Sequence, residues 1–182
     1  MKIIFWMIIL IIRVGTAMVC QIEKSELRKV PRRGALILVD NHISSIEVPL
    51  LFAYLQPRKI IPLAKTETWD NKLMGWLFNL WEGIPIRRGE ADIDAVRQCL
   101  AVLANGNMLA GAPEGTRTED GILIRGHPGV VMLALRSGVP ILPIAHWGDE
   151  KFKANIKKLK RTKFNICVGK PFIMDPGSAR VT

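Results

Sequence analysis

A histidine and a glutamate lie close together in the segment D-N-H-I-S-S-I-E, which occupies residues 40–47. His42 is one of only three histidines in the chain, and Glu47 follows it by five residues. A carboxylate at that distance could return over the first turn of a helix and hold one imidazole nitrogen, which leaves the other nitrogen free to accept a proton. The pair therefore indicates a general base. A structural or solvent-exposed histidine stays open for this segment in isolation, because paired groups are often structural.

A second polar segment, P-E-G-T-R, occupies residues 113–117 and is followed by T-E-D-G. Its glycine allows backbone N–H groups to approach a ligand, Thr116 supplies a hydroxyl, and Arg117 offers a planar fork that suits a phosphate. The segment thus indicates a phosphate-binding turn. An ordinary polar turn is the alternative for this short string alone.

Short apolar runs alternate with helical segments from Gly34 onward, which is typical of an α/β domain. Most of the runs are continuously apolar, as buried strands tend to be. We predict a mixed, mostly parallel sheet flanked by helices, with His42 where the first strand ends and a helix begins. The predicted strands are 35–39, 60–64, 84–86, 108–112, 140–144 and 164–168. The predicted helices are 46–56, 67–81, 92–105 and 128–137.

The amino-terminal segment is unusually apolar. Residues 3–12 are unbroken apolar, and the stretch continues to Ile22 with Arg13 as its only charge. It predicts a membrane-associated helix, either a single span or a deep interfacial helix. A cleaved signal peptide fits less well because Arg13 interrupts the apolar core, and a buried core helix fits less well because every face is apolar. We therefore divide the chain into a membrane-anchoring region, 1–33, and a catalytic domain, 34–182.

The charge pattern indicates an anionic partner. Lysine and arginine outnumber aspartate and glutamate 26 to 16, for a formal charge of +10. Basic residues follow the apolar segment more than they precede it, so the positive-inside rule places the rest of the chain on the cytoplasmic face of a membrane. The basic stretch 149–163 is either a solvated face or a contact for anionic headgroups. Nucleic-acid binding is not expected, because no recognised motif accompanies the charge. The odd, scattered cysteines also argue against a disulfide framework or a cysteine metal site.

Four sequence blocks in this order and spacing resemble the PlsC-type glycerolipid acyltransferase family, whose best-known members act on 1-acylglycerol 3-phosphate. The blocks are N-H-x-x-x-x-acid, I-P-I-R-R-G, P-E-G-T-R and V-P-I-L-P-I, and the resemblance runs from about Gly34 to Phe172. It implies transfer of a fatty acyl group from acyl-CoA or acyl carrier protein to the hydroxyl of a lysophospholipid. It also implies membrane lipid as a partner and no metal or other cofactor, and we expect a monomer.

The resemblance assigns roles to individual positions. His42 matches the catalytic histidine, Glu47 stands in place of the family's aspartate, and Lys65 resembles a lysine that adds to a phosphate pocket. A surface lysine is the alternative for Lys65. Acceptor binding is implied for Gly83, Ile84, Pro85, Ile86 and Arg88. Contact with the acceptor's glycerol phosphate is implied for Glu114, Gly115, Thr116 and Arg117. A structural role is implied for Pro140, Ile141 and Pro143.

Two departures from the family pattern bear on function. Glu47 is one methylene longer than aspartate, which moves the carboxylate by about 1.5 Å unless the backbone compensates. G-H-P-G at 126–129 replaces the family's F-K-x-G. Two other functions therefore stay open. One is the same reaction on another acceptor, such as glycerol 3-phosphate or another lysophospholipid, and the other is a non-catalytic lipid-binding relative.

Overall fold

The fold is an α/β sandwich built on one sheet. The structure is a computed structural model that describes residues 2–87, 92–118, 120–175 and 177. Its helices are α1 (Lys2–Val19), α2 (Glu47–Tyr54), α3 (Lys72–Leu80), α4 (Ile93–Ala104), α5 (Gly129–Ser137) and α6 (Phe152–Lys157). Its strands are β1 (Cys20–Ile22), β2 (Leu36–Asp40), β3 (Ile60–Lys65), β4 (Ile84–Ile86), β5 (Met108–Gly111), β6 (Ile141–Trp147) and β7 (Thr162–Val168). Short 3₁₀ turns occupy Glu26–Lys29, Thr66–Asp70 and Asp149–Lys151.

The described strands form one seven-stranded sheet in the order β1-β7-β6-β2-β5-β3-β4. Neighbouring strands are parallel except β6 and β7, which are antiparallel. In the centre, Leu38 of β2 is paired with Ala110 on one side and with Leu142 on the other. The prediction of a mixed, mostly parallel sheet flanked by helices is confirmed.

Alternate residues of the central strands enter two separate hydrophobic cores. Leu36 and Leu38 of β2 face the core that contains α2, whereas Ile37 between them faces the core that contains α4 and α5. This alternation follows from the two-residue repeat of a strand. Because both faces are covered, the central strands are apolar at nearly every position, which explains why continuous apolar runs identified them.

The sheet order brings the predicted chemistry to one edge. Strands β2, β3 and β5 are parallel, so their carboxyl ends lie at the same edge. His42 follows β2, Glu114 follows β5, and Lys65 is the last residue of β3. Residues far apart in sequence therefore meet where active sites of α/β folds usually lie.

Helix α1 is packed along one stripe and exposed elsewhere. Phe5, Ile9 and Ile12 lie against the core at helical spacing, and Ile9 is only 1% exposed. The exposed apolar side chains of this helix are Ile3, Ile4, Trp6, Met7, Leu10, Ile11, Val14 and Met18. Among the described residues, the structure contains no helix with the length and apolarity needed to cross a membrane. The sequence prediction of a helix here is thus met by α1, but a transmembrane span is not supported.

Two elements of the structure were not predicted from the sequence. Strand β1 extends the sheet beyond β7, and α6 begins in the basic stretch after β6. Both are short, at three and six residues, and neither carries a clear hydrophobic period. Because β1 precedes residue 34, part of the predicted anchoring region belongs to the sheet. The division into 1–33 and 34–182 stays a prediction.

Candidate active site

His42 and Glu47 form a hydrogen-bonded pair at the carboxyl end of β2. Glu47 is the first residue of α2, and its Oε1 contacts Nδ1 of His42 across the loop between strand and helix. The His42 side chain is 26% exposed, whereas that of Glu47 is fully buried. A proton on Nδ1, donated to the carboxylate, leaves the outer nitrogen Nε2 unprotonated and able to accept a proton from a substrate.

Glu47 is held by Ser44 in the same loop. Its Oε2 accepts hydrogen bonds from the Ser44 backbone N–H at 2.8 Å and from Ser44 Oγ at 2.9 Å. Hydrogen bonds to a buried carboxylate lower the cost of keeping it charged. The loop thus fixes the glutamate in an orientation in which it reaches the imidazole despite its extra methylene.

The P-E-G-T-R turn lies against the histidine loop. Glu114 is only 5% exposed, and its Oε1 accepts a hydrogen bond of 3.1 Å from the His42 backbone N–H. Its Oε2 accepts one of 3.4 Å from the N–H of Ile124. In return, the Thr118 N–H donates to the His42 carbonyl at 2.8 Å. Both oxygens of Glu114 are therefore bound to backbone, so this residue positions the two loops; its contact with an acceptor stays a prediction.

The other predicted binding residues lie on the same turn or around a neighbouring cavity, apart from one that the structure does not describe. Lys65 and Gly115 line a cavity of about 570 Å³ beside the turn. Gly115 has a positive φ of 68°, a conformation that favours glycine, so its identity follows from the turn. Thr116 and Arg117 are exposed on the same turn. Arg88 lies outside the described residues.

The cavity combines an apolar body with basic residues. Leu63, Ile86, Val96, Met132 and Leu133 supply apolar side chains. Basic or titratable side chains come from Lys65, Arg87, His127 and Arg136, and Asp92 supplies one carboxylate. That carboxylate is already engaged, because its Oδ1 caps α4 and its Oδ2 accepts from the Arg87 N–H. A cavity of this composition suits an amphiphile that carries an anionic group.

A second histidine–carboxylate pair lies behind the first and was not identified from the sequence. His146, near the end of β6, contacts Asp149 Oδ1 through Nδ1 at 3.0 Å, and its Nε2 contacts the backbone carbonyl of Asn41 at 2.5 Å. Both side chains are fully buried, and the ring of His146 stacks on Phe164 at 5.2 Å. A carbonyl only accepts, so Nε2 carries a proton, and an ionised Asp149 would require a second proton on Nδ1.

The electrostatic environment agrees with a protonated His146. Burial by itself lowers its pKa, but the hydrogen bond and charge of Asp149, with Glu47 and Asp40 nearby, raise it overall. Burial likewise acts to raise the pKa of Asp149, and the hydrogen bond and charge of His146 reverse that effect. The pair is therefore an imidazolium and a carboxylate.

The two pairs are connected through the loop after β2. Asn41 donates to the His146 carbonyl and accepts from the His146 N–H, each at 2.9 Å. Ser44, which holds Glu47, also lies near Asp149 and helps to lower the pKa of that carboxyl. Burial raises the pKa of the neighbouring Asp40 to about 7, an effect that Glu47 reinforces and the two histidines oppose. The candidate base thus sits on a buried network of charged groups.

This network also contains donors of the kind that bind metals. Glu47, His146 and Asp149 each offer one atom within 4.8 Å of the others. In the structure, Glu47 and His146 use both of their polar atoms in hydrogen bonds, whereas Asp149 uses Oδ1 and its Oδ2 is buried without a hydrogen-bond partner. The only signal for the second pair in the sequence was A-H-W-G-D, which begins within β6 and in which an acid follows a histidine by three residues.

A model of the Acyltransferase family matches residues 21–147, more than half of the chain. The chain belongs to the Acyltransferase family. The matched range includes both loops of the candidate site and ends at Trp147, the last residue of β6.

Individual acyltransferases resemble the chain over part of their length. A chloroplastic 1-acyl-sn-glycerol-3-phosphate acyltransferase of Brassica napus is 29% identical over 117 residues, which cover 63% of this chain and 33% of the relative. A lyso-ornithine lipid O-acyltransferase of Pseudomonas aeruginosa is 36% identical over 114 residues, covering 62% and 43%. The chain therefore matches less than half the length of either relative.

A solved acyltransferase structure has the same fold. The crystal structure of the 1-acyl-sn-glycerophosphate acyltransferase PlsC from Thermotoga maritima superposes with a TM-score of 0.74 at 24% identity. The match covers 94% of this chain and 70% of that one. The two chains thus share the same α/β fold.

Proposed function

We propose that the protein transfers a fatty acyl group from an acyl thioester to the free hydroxyl of 1-acylglycerol 3-phosphate, which gives phosphatidate for phospholipid synthesis. The observation that carries the proposal is the His42–Glu47 pair, in which the partly exposed imidazole is oriented by a buried carboxylate. Membership of the Acyltransferase family supports the reaction class.

In the proposed mechanism His42 is the general base. Its Nε2 takes the proton from the acceptor hydroxyl while that oxygen attacks the thioester carbonyl carbon. The tetrahedral intermediate then collapses, the C–S bond breaks, and the departing sulfur takes the proton back from the imidazolium. Atoms and charges balance without an acyl-enzyme. General-base catalysis contributes about 10²- to 10⁴-fold, so positioning of the two substrates and stabilisation of the oxyanion must supply the rest.

The surroundings of the pair suit the two parts of the acceptor. Exposed Arg117 and Thr116 extend from a turn that is bonded to the His42 loop, and Lys65 lies at the adjacent strand end. These groups, together with Arg88, would bind the glycerol phosphate through charge-assisted hydrogen bonds. The apolar part of the 570 Å³ cavity next to Gly115 would take an acyl chain.

The exposed apolar residues of α1 support attachment to a membrane. An apolar face of this size on a helix that packs by its opposite stripe fits an interfacial helix. Attachment would bring lysophospholipid, a membrane component, to the site. The placement of the catalytic domain on the cytoplasmic face rests on the charge pattern of the sequence.

A second acceptor class has its own support. The Pseudomonas aeruginosa relative is a lyso-ornithine lipid O-acyltransferase by name, and its identity to this chain is higher than that of the Brassica napus relative. An amino-acid-based lysolipid is therefore a candidate acceptor for the same base. Glu47 in place of aspartate also keeps a non-catalytic lipid-binding function open.

The test is acyl transfer in vesicles with acyl-CoA or acyl carrier protein as donor, and with lysophosphatidate, glycerol 3-phosphate and lyso-ornithine lipid compared as acceptors. We expect turnover with lysophosphatidate that is lost in His42→Ala and kept or improved in Glu47→Asp. Preference for another acceptor would replace the proposed substrate. Lipid binding without turnover for any donor and acceptor, even after Glu47→Asp, would favour the binding protein.

A further inference from the structure

A cavity of about 860 Å³ is lined by α1, by the segment 24–33 and by the end of α2 with the residues that follow it. It is formed where α1 crosses the last turn of α2 and where the chain approaches β2 and β3. Arg58 and Gly34, which help to build this region, precede β3 and β2 respectively. The amino ends of parallel strands lie at the edge opposite their carboxyl ends, so this cavity is separate from the candidate active site.

The cavity is strongly basic. Six cationic side chains line it, and among the described residues no carboxylate does. They are Arg13, Lys24, Arg28, Arg32, Arg33 and Arg58. Like charges repel one another, and a cavity lined by one sign of charge focuses a field that attracts an opposite ion. The lining therefore favours binding of an anion.

Arg58 supplies an independent indication. It is only 8% exposed, and one terminal nitrogen of its guanidinium donates to the carbonyl of Gly34. Its Nε is buried without a hydrogen-bond partner. No described carboxylate forms an ion pair with it, and burial lowers the pKa of its guanidinium. A buried cation without a counter-charge is costly, and an anion bound in the cavity would offset that cost.

Two further cations lie over one aromatic ring. The Lys24 Nζ lies 4.7 Å from the ring centre of Tyr54, and the Arg13 guanidinium carbon lies 5.8 Å from it. Arg13 is also fixed by a 3.0 Å hydrogen bond from Nε to the carbonyl of Ala53. These contacts hold the cations in place at the cavity without neutralising their charge. An anion that binds there meets cations that are already positioned.

The cavity continues into an apolar surface. Val14 and Ala17 of α1 form part of its wall, and Val14 is 52% exposed on the apolar face of the helix. A ligand that fits both parts has an anionic head and a hydrocarbon tail. We propose that this cavity binds the phosphate headgroup of an anionic phospholipid while the acyl chains of that lipid lie along the exposed face of α1.

The first experiment measures binding to phosphatidylcholine vesicles with and without phosphatidylglycerol. Arg28→Gln with Arg33→Gln removes two exposed cations of the cavity. Arg97→Gln with Lys170→Gln removes two exposed cations that neither line the cavity nor belong to the basic stretch 149–163, and this variant serves as the matched control. We expect about a ten-fold or greater loss of affinity for the phosphatidylglycerol vesicles in the cavity variant, and at most about a two-fold loss in the control. Equal losses, or no loss in the cavity variant, would overturn the proposal.

The second experiment separates a lipid site from a general anion site. Short-chain, monomeric phosphatidylglycerol should raise the Tm of the wild-type chain, and short-chain phosphatidylcholine should not. The shift in Tm should disappear in the cavity variant and in Arg58→Met. If Arg58→Met does not fold, the cavity variant with its two exposed substitutions decides the result. An equal shift with inorganic phosphate alone would overturn the lipid assignment. Because the readout is binding, failure of this proposal leaves the acyl transfer proposal unaffected.

Discussion

Within the part of the chain that the structure describes, two histidine–carboxylate pairs lie in sharply different environments. His42 is partly exposed and uses one nitrogen for Glu47, which leaves Nε2 for a substrate. His146 is fully buried and uses one nitrogen for Asp149 and the other for a backbone carbonyl. The first pair has a free position for a proton, whereas the second has none.

This difference indicates a catalytic role for the first pair and a structural role for the second. A general base needs an accessible nitrogen that can change its protonation state during the reaction. The imidazolium of His146 has no such nitrogen, but its charge lies close to Glu47 and its hydrogen bonds hold Asn41, the residue before His42. We therefore expect the first pair to control turnover and the second to control stability.

The largest effect is expected from His42→Ala. Loss of the base should lower kcat by about 10²- to 10⁴-fold with little change in the acceptor KM. The free energy of unfolding should fall by only about 1 kcal/mol, since the buried Glu47 keeps its two hydrogen bonds from Ser44. Steady-state kinetics and urea unfolding measure the two quantities. Retained turnover would remove His42 from the mechanism.

Asp149→Ala should have the opposite profile. It leaves the buried His146 without its counter-charge, which costs about 3–5 kcal/mol in the free energy of unfolding. Urea unfolding measures this loss, and kcat of the fraction that remains folded should fall less than in His42→Ala. If Asp149→Ala abolished kcat while stability was unchanged, the two pairs would have the reverse roles.

Asp40, between the pairs, provides a pH test. Its folded-state pKa is raised to about 7 from 3.8, so between these values the unfolded chain releases a proton that the folded chain keeps. Stability therefore decreases as pH rises through this window because of Asp40. Asp40→Asn should remove that decrease and gain about 2 kcal/mol over the wild type above neutral pH. Thermal unfolding across the window checks this; parallel profiles for the two proteins would contradict it.

The smallest effect concerns how the second pair is built. Gly148 has a φ of 97°, and a Cβ there would meet the carbonyl oxygen of Lys163 at 2.4 Å. Gly148→Ala should cost about 1–3 kcal/mol of stability through strain in the turn between His146 and Asp149. Chemical denaturation measures this cost. Gly106→Ala is the control for positive φ alone, because a Cβ at Gly106 meets no atom within 4 Å; an equal cost in both variants would show that the close contact contributes nothing.

Much of the fold could be predicted from the sequence because the sheet is buried on both faces. The continuous apolar runs predicted β4 with the observed bounds and β3 within one residue. Strand β1 and helix α6 were not predicted, since short elements at the edge of a domain depend on tertiary contacts more than on their own pattern. Strand β1 gains its partners only from β7, more than a hundred residues away in sequence.

The site could be predicted in part. The spacing of His42 and Glu47 within one strand-to-helix connection indicated their contact, because such a contact is local. The backbone hydrogen bond to Glu114 spans 72 residues, and a sequence motif implied a ligand contact for that carboxylate instead. His146 and Asp149 carried only a weak local signal, because their importance comes from burial behind the His42 loop.

The sequence by itself determined the family, the apolar pattern of a two-sided sheet, and the local histidine–glutamate pair. These properties depend on residue types at short spacing, so they need no knowledge of the rest of the chain. Only the tertiary structure decided which histidine keeps a free nitrogen, which carboxylate holds backbone, and which arginine is buried without a counter-charge. Exposure, protonation and charge compensation depend on what the fold places around a group, and that placement is set by contacts between residues distant in sequence.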